Sequence, residues 1–258
     1  MPRRFVDLSV ALEADIASDP EVMLPEIEYL DHSQTAGQVI GFFPGLAQDD
    51  LPGREGWAIE KLSIYTHNGT HLDAPYHHHS TMDGGQPAIT IDQVPLEWCF
   101  APGVKLDFRH FDDGYLVTPA DIDAELARIG HKLRPLDIVV VNTSAAARYG
   151  QPDYIAKGCG MGRDATLHLL KQGVRLTGTD AWSWDAPFST TAKRYAATGD
   201  PGLIWEGHRA SMEIGYCHIE KLANLDQLPG TGFMVSCFPF KIKNASAGFT
   251  RAVAIFEE

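Results

Sequence analysis

The segment HNGTHLDAPYHHH, residues 67–79, holds five of the eleven histidines of the chain and one aspartate. Neutral imidazole nitrogens and a carboxylate oxygen are ligands that suit Zn²⁺ or Mn²⁺, and a site with few protein ligands leaves room for a water molecule. A solvated, histidine-rich loop is the alternative. Because the spacing His-x3-His-x-Asp is regular, we predict a catalytic metal site here.

The spacing fits an extended chain better than a helix. Gly69 and Pro75 both disfavour a helix, which would also turn Asp73 about 240° away from His67. In an extended segment the odd-numbered side chains share one face. The histidines and the aspartate on that face are His67, His71, Asp73 and His77. Since one strand cannot direct three consecutive side chains at one ion, we expect His78 and His79 to lie beside the site or in solvent.

The same segment resembles the signature H-x-G-T-H-x-D-x-P-x-H of the cyclase family of metal-dependent hydrolases, which includes bacterial kynurenine formamidases and isatin hydrolases. The resemblance extends from VDLSVAL near the N-terminus, through GVRLTGTDAWSWD and HIEKLANLDQLPGTGF, to AVAIFE. It implies that His67, His71 and Asp73 bind a first metal ion. It further implies that Glu220, together with His208, completes one or two sites for zinc or manganese.

The chemistry of such a site is hydrolysis. A divalent ion lowers the pKa of a bound water towards about 7 and can polarise a carbonyl group. His77, the general acid/base that the resemblance implies, has an unperturbed pKa near 6.5 and can accept the proton of the water and return it to the leaving group. Gly69 would allow a close approach at the site, with Asn68 and Thr70 fixing the backbone.

We therefore expect a metal-dependent amidohydrolase that cleaves the C–N bond of a small aromatic or cyclic amide, of the isatin or aryl-formamide type. A lactone hydrolase that uses the same metal is one alternative. A metal-binding module without catalysis is another. The aromatic residues expected to contact the substrate lie in predicted loops, and they are Trp57, Trp182, Trp184 and Phe188. The resemblance also implies a homodimer or homotetramer, in which Trp57 is our candidate for a residue contributed by the neighbouring subunit.

The composition excludes several other classes of function. The 258 residues carry a formal net charge of −13, which disfavours binding to nucleic acid or to anionic membranes. No apolar run approaches the roughly 18 residues of a spanning helix, and the N-terminus does not have the pattern of a signal peptide. The four cysteines are widely spaced, so we expect reduced thiols and a cytoplasmic protein. The length favours one domain, residues 1–258.

The elements that must position these residues alternate along the chain and predict a mixed α/β fold. A helix is predicted at 119–129, where Thr118 can cap and Gly130 can end it, and another at 163–172 before Gly173. The run LDIVVVNT predicts a strand buried on both faces. Further strands are expected in the first hundred residues, including QVIGFFPGL, and near the C-terminus, whereas residues 181–208 read as a loop. The family resemblance implies a mixed β-sheet core with flanking helices, of the swivelling β/β/α type.

Overall fold

The computed structural model describes residues 2–257, within which the chain forms fifteen strands and five α-helices. The first eight strands are β1 (Arg3–Asp7), β2 (Glu26–Leu30), β3 (Ile59–Ser63), β4 (His71–Asp73), β5 (Thr81–Met82), β6 (Gln86–Pro87), β7 (Phe100–Asp107) and β8 (Leu116–Val117). The others are β9 (Ile138–Asn142), β10 (Gly160–Met161), β11 (Leu176–Thr179), β12 (Cys217–Glu220), β13 (Phe233–Ser236), β14 (Ala247–Phe249) and β15 (Val253–Glu257). The helices are α1 (His32–Gly41), α2 (Pro75–His78), α3 (Pro119–Arg128), α4 (Arg163–Lys171) and α5 (Phe188–Thr198). None of the helices within the described range is long and apolar enough to cross a membrane.

Nine of the strands form one mixed sheet, in the order β1-β15-β13-β7-β9-β11-β12-β4-β14. The four strands β7, β9, β11 and β12 run parallel to one another, and the neighbours on either side join them antiparallel. The predicted mixed α/β class is therefore confirmed. The other strands form three small two-stranded sheets, of which the hairpin β2–β3 projects with most of its residues exposed.

The central strand β9 is buried along its whole length, as the run of valines predicts. Its side chains alternate between two apolar cores: Val139 and Val141 pack on the face covered by α3 and α4, whereas Ile138 and Val140 pack on the opposite face. Loops and short 3₁₀ turns cover that opposite face. Burial on both sides explains why β9 lacks the polar alternation of a surface strand.

Local signals place α3 and α4 correctly. The Thr118 hydroxyl accepts a hydrogen bond from the amide of Asp121, whose carboxylate accepts one from the Thr118 amide, so the capping box forms. Gly130 and Gly173 follow the two helices with φ of +66° and +94°. Such left-handed conformations favour glycine after a helix end.

Two sequence-based expectations are wrong. In the segment predicted as a strand at QVIGFFPGL, residues 38–41 instead belong to α1, because the Asp31 carboxylate accepts hydrogen bonds from the amides of Ser33 and Gln34 and starts a helix there. The predicted loop at 181–208 contains α5, which begins after Pro187 and ends at Gly199 with φ of +68°. In both cases a capping signal outweighs apolar or loop-like composition.

Gly160 in β10 allows a close backbone approach next to the segment that follows Trp184. A Cβ atom at this position would lie 1.9 Å from the amide nitrogen of Ala186, and backbone cannot yield as a flexible side chain can. We predict that Gly160→Ala destabilises the protein by about 2 kcal/mol or more, which corresponds to a fall in Tm of about 4–8 °C.

The matched control is Gly37→Ala. Gly37 is an exposed residue within α1, and nothing lies within 4 Å of an added Cβ. Because glycine is a poor helix former, this variant should gain roughly 0.5–1 kcal/mol. Equal Tm values for the two variants, measured by differential scanning calorimetry, would contradict the packing described around Gly160.

Candidate active site

The candidate site forms where the short strand β4 inserts antiparallel between β12 and β14. In the pairing of β4 with β12, His71 lies opposite Glu220 and Asp73 lies opposite His218. Side chains of directly opposed residues project from the same face of a sheet and are close neighbours. Two histidines and two carboxylates are thereby brought together from positions about 150 residues apart in the chain.

Asp73 is at the centre of this group and has an exposed fraction of 0%. Its Oδ1 lies 2.9 Å from His67 Nδ1 and 3.4 Å from His71 Nε2. Its Oδ2 lies 3.1 Å from His218 Nε2 and 4.0 Å from His77 Nε2. Neither carboxylate oxygen has a partner in hydrogen-bond geometry, although buried carboxylates normally do.

Two histidine nitrogens beside Asp73 also lack hydrogen-bond partners. The Nε2 atoms of His71 and His218 are buried and lack a hydrogen-bond partner, although both are close to Asp73. Ligand atoms that converge without bonding one another are the arrangement a cation requires, because each lone pair must point at the ion. The donor set of imidazole and carboxylate fits a divalent ion such as zinc or manganese.

Two overlapping groups of side chains could hold metal ions. In each group the ligand atoms lie within 4.8 Å of one another, and Asp73 belongs to both. The first group consists of Asp73, His208, His218 and Glu220. The second consists of His67, Asp73 and His77. The geometry is therefore compatible with one ion or with two.

Hydrogen bonds on the far side of each ring fix the orientation of three histidines. His71 Nδ1 lies 2.9 Å from the carbonyl oxygen of Gly69, and His67 Nε2 lies 3.1 Å from Ser246 Oγ. His208 Nδ1 bonds the carboxylate of Asp185. In each case the other ring nitrogen faces Asp73 or Glu220. Hydrogen bonds of this kind set the tautomer that a metal ligand needs.

Charge complementarity keeps both carboxylates ionised. Burial opposes ionisation of Asp73, but the neighbouring His77, His67 and His71 hold the pKa of its carboxyl well below the usual range. Burial likewise opposes ionisation of Glu220, but His218, whose Nε2 lies 3.3 Å from Glu220 Oε1, lowers its pKa to about 2. His218 responds in the opposite sense, since Asp73 and Glu220 overcome its burial and raise its pKa to about 9. The two carboxylates thus require positive charge beside them, from an imidazolium or from a metal ion.

His77 differs from the other histidines in its protonation. Burial, together with the charges of His67 and His208, outweighs the attraction of Asp73 and lowers the pKa of His77 to about 4. Its imidazole is therefore neutral at pH 7. It lines the pocket, with its ring centroid 5.1 Å from that of Trp205, so it borders the space in which a small molecule would bind.

The structure brings the six residues proposed from the sequence together, but not in the conformation expected. Of the four in the segment 67–77, only His71 and Asp73 lie on a strand. His67 lies on the preceding turn, in which Gly69 has φ of +59°, and His77 lies on the helical turn α2. The single extended segment was therefore the wrong geometry. A turn, a strand and a helical turn together aim these side chains inward.

Sequence reasoning missed His218. It lies two residues before Glu220 on β12, so the alternation of a strand places both side chains on one face. That signal was available once Glu220 was proposed as a ligand. His78 is buried and its ring stacks on that of His218 at 4.8 Å, whereas His79 is bonded to Thr81 in a local turn.

The four predicted aromatic residues have three different placements. Trp182 and Phe188 line a cavity of about 250 Å³ beside His67, His77 and Glu220, and Trp205 completes its aromatic wall. Trp184 was expected to contact the substrate, but it is only 1% exposed and its indole Nε1 donates to Thr166 in the core. Trp184 nevertheless supports the site, because its backbone amide donates a hydrogen bond to Glu220 Oε1 at 2.9 Å. Trp57 is not among the residues that line this cavity, and it lies on the exposed N-terminal segment.

A buried ion pair supports the turn that carries His67. The Lys221 ammonium bonds the Asp19 carboxylate and also donates to the carbonyl oxygen of His67 at 2.8 Å. Asn68 and Trp182 donate to the same carboxylate at 3.0 and 2.9 Å. Asn68 thereby anchors this turn to the segment that carries Asp19, and the ion pair fixes one wall of the cavity.

Comparison with known proteins agrees with this geometry. The family described as "Putative cyclase" matches residues 6–186. The chain belongs to the cyclase family. A kynurenine formamidase from Maricaulis maris (strain MCS10) is 30% identical over 197 residues, which cover 76% of this chain and 79% of the relative. The family match ends before His208, His218 and Glu220, so these residues are placed at the site by the structure.

Solved structures of cyclase-family proteins share the fold. An isatin hydrolase bound to the product analogue thioisatinate has a TM-score of 0.75 at 22% identity, covering 99% of this chain and 93% of the other. Isatin hydrolase A from Ralstonia solanacearum has a TM-score of 0.76 at 24% identity, with coverage of 99% and 92%. At these identities the likeness concerns the fold, and it confirms the fold that the sequence resemblance implied.

The contribution of His218 can be tested by metal content. We predict that His218→Ala lowers the affinity for Zn²⁺ or Mn²⁺ by at least roughly 100-fold, because it removes an imidazole beside both carboxylates. The control is His79→Ala, from the same histidine run but bonded only within its own turn. Elemental analysis would measure the metal content of both variants, and competition with a chromophoric chelator would measure their affinities for the metal. Equal affinity in the two variants would exclude His218 as a ligand.

Proposed function

We propose that this protein is a metal-dependent amidohydrolase that cleaves a non-peptide C–N bond in a small aromatic or cyclic amide. The observation that carries the proposal is the buried Asp73 carboxylate, which lies among histidine nitrogens without hydrogen bonds of its own. The kynurenine formamidase relative supports the expected class of enzyme.

In this proposal the metal ligands are drawn from His67, His71, Asp73, His208 and Glu220, as the sequence suggested, and from His218. Zinc and manganese both suit the donor set. When bound, the ion supplies Lewis acidity, which lowers the pKa of a water ligand and polarises the substrate carbonyl. The Asp185 carboxylate and the Gly69 carbonyl hold His208 and His71 in the orientation that ligation requires.

His77 is the general base and then the general acid. Its neutral ring can take a proton from the attacking water and deliver it to the nitrogen of the scissile bond. It borders the cavity next to Trp205 and lies 4.0 Å from Asp73, which stabilises the imidazolium that forms in between. Proton transfer by a positioned side chain contributes about 10²–10⁴-fold to a rate.

The shape of the cavity supports a flat and compact substrate. About 250 Å³ is available, and the indoles of Trp182 and Trp205 and the ring of Phe188 form the apolar walls. Met23 and Ser183 also line it. A planar aryl or cyclic amide could place its carbonyl at the histidines while its ring packs on these aromatic walls.

We predict that the wild-type protein binds Zn²⁺ or Mn²⁺ and hydrolyses isatin or N-formylkynurenine, and that a chelator abolishes the activity until metal is restored. His77→Ala should retain the metal but lose about 10²–10⁴-fold in kcat. The readouts are elemental analysis and a spectrophotometric assay of each amide. An unsaturated lactone is assayed beside them.

The outcomes separate the alternatives. Turnover of the lactone alone would replace the proposal with a lactone hydrolase. Bound metal with no turnover of any of the three compounds would replace it with a metal-binding module. Unchanged activity in His77→Ala would exclude the role given to that residue.

We also propose that the protein forms a homodimer or homotetramer in which Trp57 packs at the pocket of a neighbouring subunit. The N-terminal segment that carries Trp57 exposes other large apolar side chains, among them Phe42 at 70% and Tyr29 at 65%. Such a group of exposed aromatic side chains is typical of an interaction surface. The Trp57 ring packs at 5.9 Å on Phe42 and its indole donates to Gln38, so the segment presents it in a fixed orientation.

The test is Trp57→Ala. We predict a rise in KM of about tenfold, because an aromatic contact to the substrate is lost. Leu96→Ala is the control, since Leu96 is also an exposed apolar residue but lies in a different segment. Sedimentation velocity would establish the oligomer in all three proteins. An unchanged KM in Trp57→Ala would contradict the proposed contribution across subunits.

We further propose that residues 1–258 form one hydrolase domain in the cytoplasm. The pairing of β1 with β15 in the same sheet as the site supports the single domain. The four cysteines are all buried free thiols, which supports a reducing compartment.

A further inference from the structure

A second cavity adjoins the one that contains the metal site. It has a volume of about 390 Å³, and it shares Phe188 and Trp205 with the first cavity. We refer to it as the annex. The residues that line the annex are Asp185, Ala186, Phe188, Thr191, Ala192, Ile204 and Trp205. Two aromatic side chains are therefore the shared boundary between the metal site and a larger space beyond it.

The annex offers few polar groups to a ligand. The Asp185 carboxylate already accepts hydrogen bonds from the amides of Gly207 and His208, and from the His208 ring. The Thr191 hydroxyl donates to the carbonyl oxygen of Ala186. Because these polar side chains are occupied within the protein, the remaining surface of the annex is apolar and suits a hydrocarbon group.

Phe188 and Trp205 form the shared boundary, since each lines both the cavity of the metal site and the annex. Trp205 stacks on His208 with centroids 4.7 Å apart and 8° between the ring planes. Its φ of +55° is uncommon for a bulky residue and holds the indole in this place. Phe188 is 49% exposed, and its ring contacts that of Trp182 edge-on with centroids 5.3 Å apart.

We propose that the annex is a second substrate subsite, which binds an apolar alkyl or aryl substituent of the amide. This inference rests on the proposed function of the metal site and specifies its substrate class. The substrates it favours are aryl amides that carry a hydrophobic group beyond the ring. The small formyl or cyclic amide end lies at the histidines, and the hydrophobic group extends past Phe188 and Trp205.

The experiment uses formanilide and its 4-alkyl derivatives, from methyl to hexyl, with the metal-loaded protein. Burial of each methylene in an apolar site should raise kcat/KM by about fourfold until the annex is filled. Ala192→Phe fills the annex from the exposed side of α5, and in this variant the ratio of kcat/KM for the hexyl compound to that for formanilide should fall towards one. Ala197→Phe is the matched control, because it adds the same ring to an exposed position of α5 outside the annex, and it should keep the wild-type ratio.

A binding measurement separates this inference from the proposed reaction. The 4-alkylanilines, which are the amine products of these formanilides, can be titrated against tryptophan fluorescence without any turnover. Affinity that rises with chain length in the wild type and in Ala197→Phe, but not in Ala192→Phe, supports the annex even if no formanilide is hydrolysed. Turnover in which kcat/KM does not depend on chain length, or depends on it equally in all three proteins, would contradict the role of the annex as a subsite. Such a result would not affect the proposed amidohydrolase activity.

Discussion

The placement of one carboxylate, that of Asp73, determines how the rest of the site is built. An ionised carboxylate that is withdrawn from water loses on the order of several kcal/mol of solvation unless charges or hydrogen bonds replace it. Asp73 is completely buried and has no hydrogen bond to either oxygen. Four imidazoles and Glu220 surround it instead. This arrangement is unfavourable without positive charge at its centre, and a divalent ion supplies that charge.

The fold meets this requirement by joining distant parts of the chain at one edge of the sheet. The parallel strands β7, β9, β11 and β12 form a rigid apolar centre, and β4 adds to its edge in the antiparallel direction. The register of that pairing sets His71 against Glu220 and Asp73 against His218. A slip of one residue would turn these side chains to the other face. The ligand positions are therefore fixed by backbone pairing before any metal binds.

Much of this could be predicted from the sequence where the signal is local. The helix after Thr118 and the buried strand β9 follow from capping residues and from apolar runs, and the spacing of His67, His71 and Asp73 indicates the metal site. What could not be predicted depends on long-range packing. The pairing of His218 with Asp73 depends on the register between β12 and β4, and the burial of Trp184 follows from where its segment crosses the core. The turn and helical turn on either side of β4 replace the expected extended chain, because Gly69 and Pro75 bend the backbone there.

The central claim is that the unpaired atoms around Asp73 form a metal centre. The most direct measurement is a crystal structure of the protein loaded with Mn²⁺ or Zn²⁺, with anomalous scattering recorded at the absorption edge of that metal. We expect an anomalous peak about 2.0–2.3 Å from an Asp73 oxygen and from Nε2 of His71 or His218. A fully loaded crystal with its peak elsewhere, or with no peak and Asp73 bonded only to protonated histidines, would contradict it.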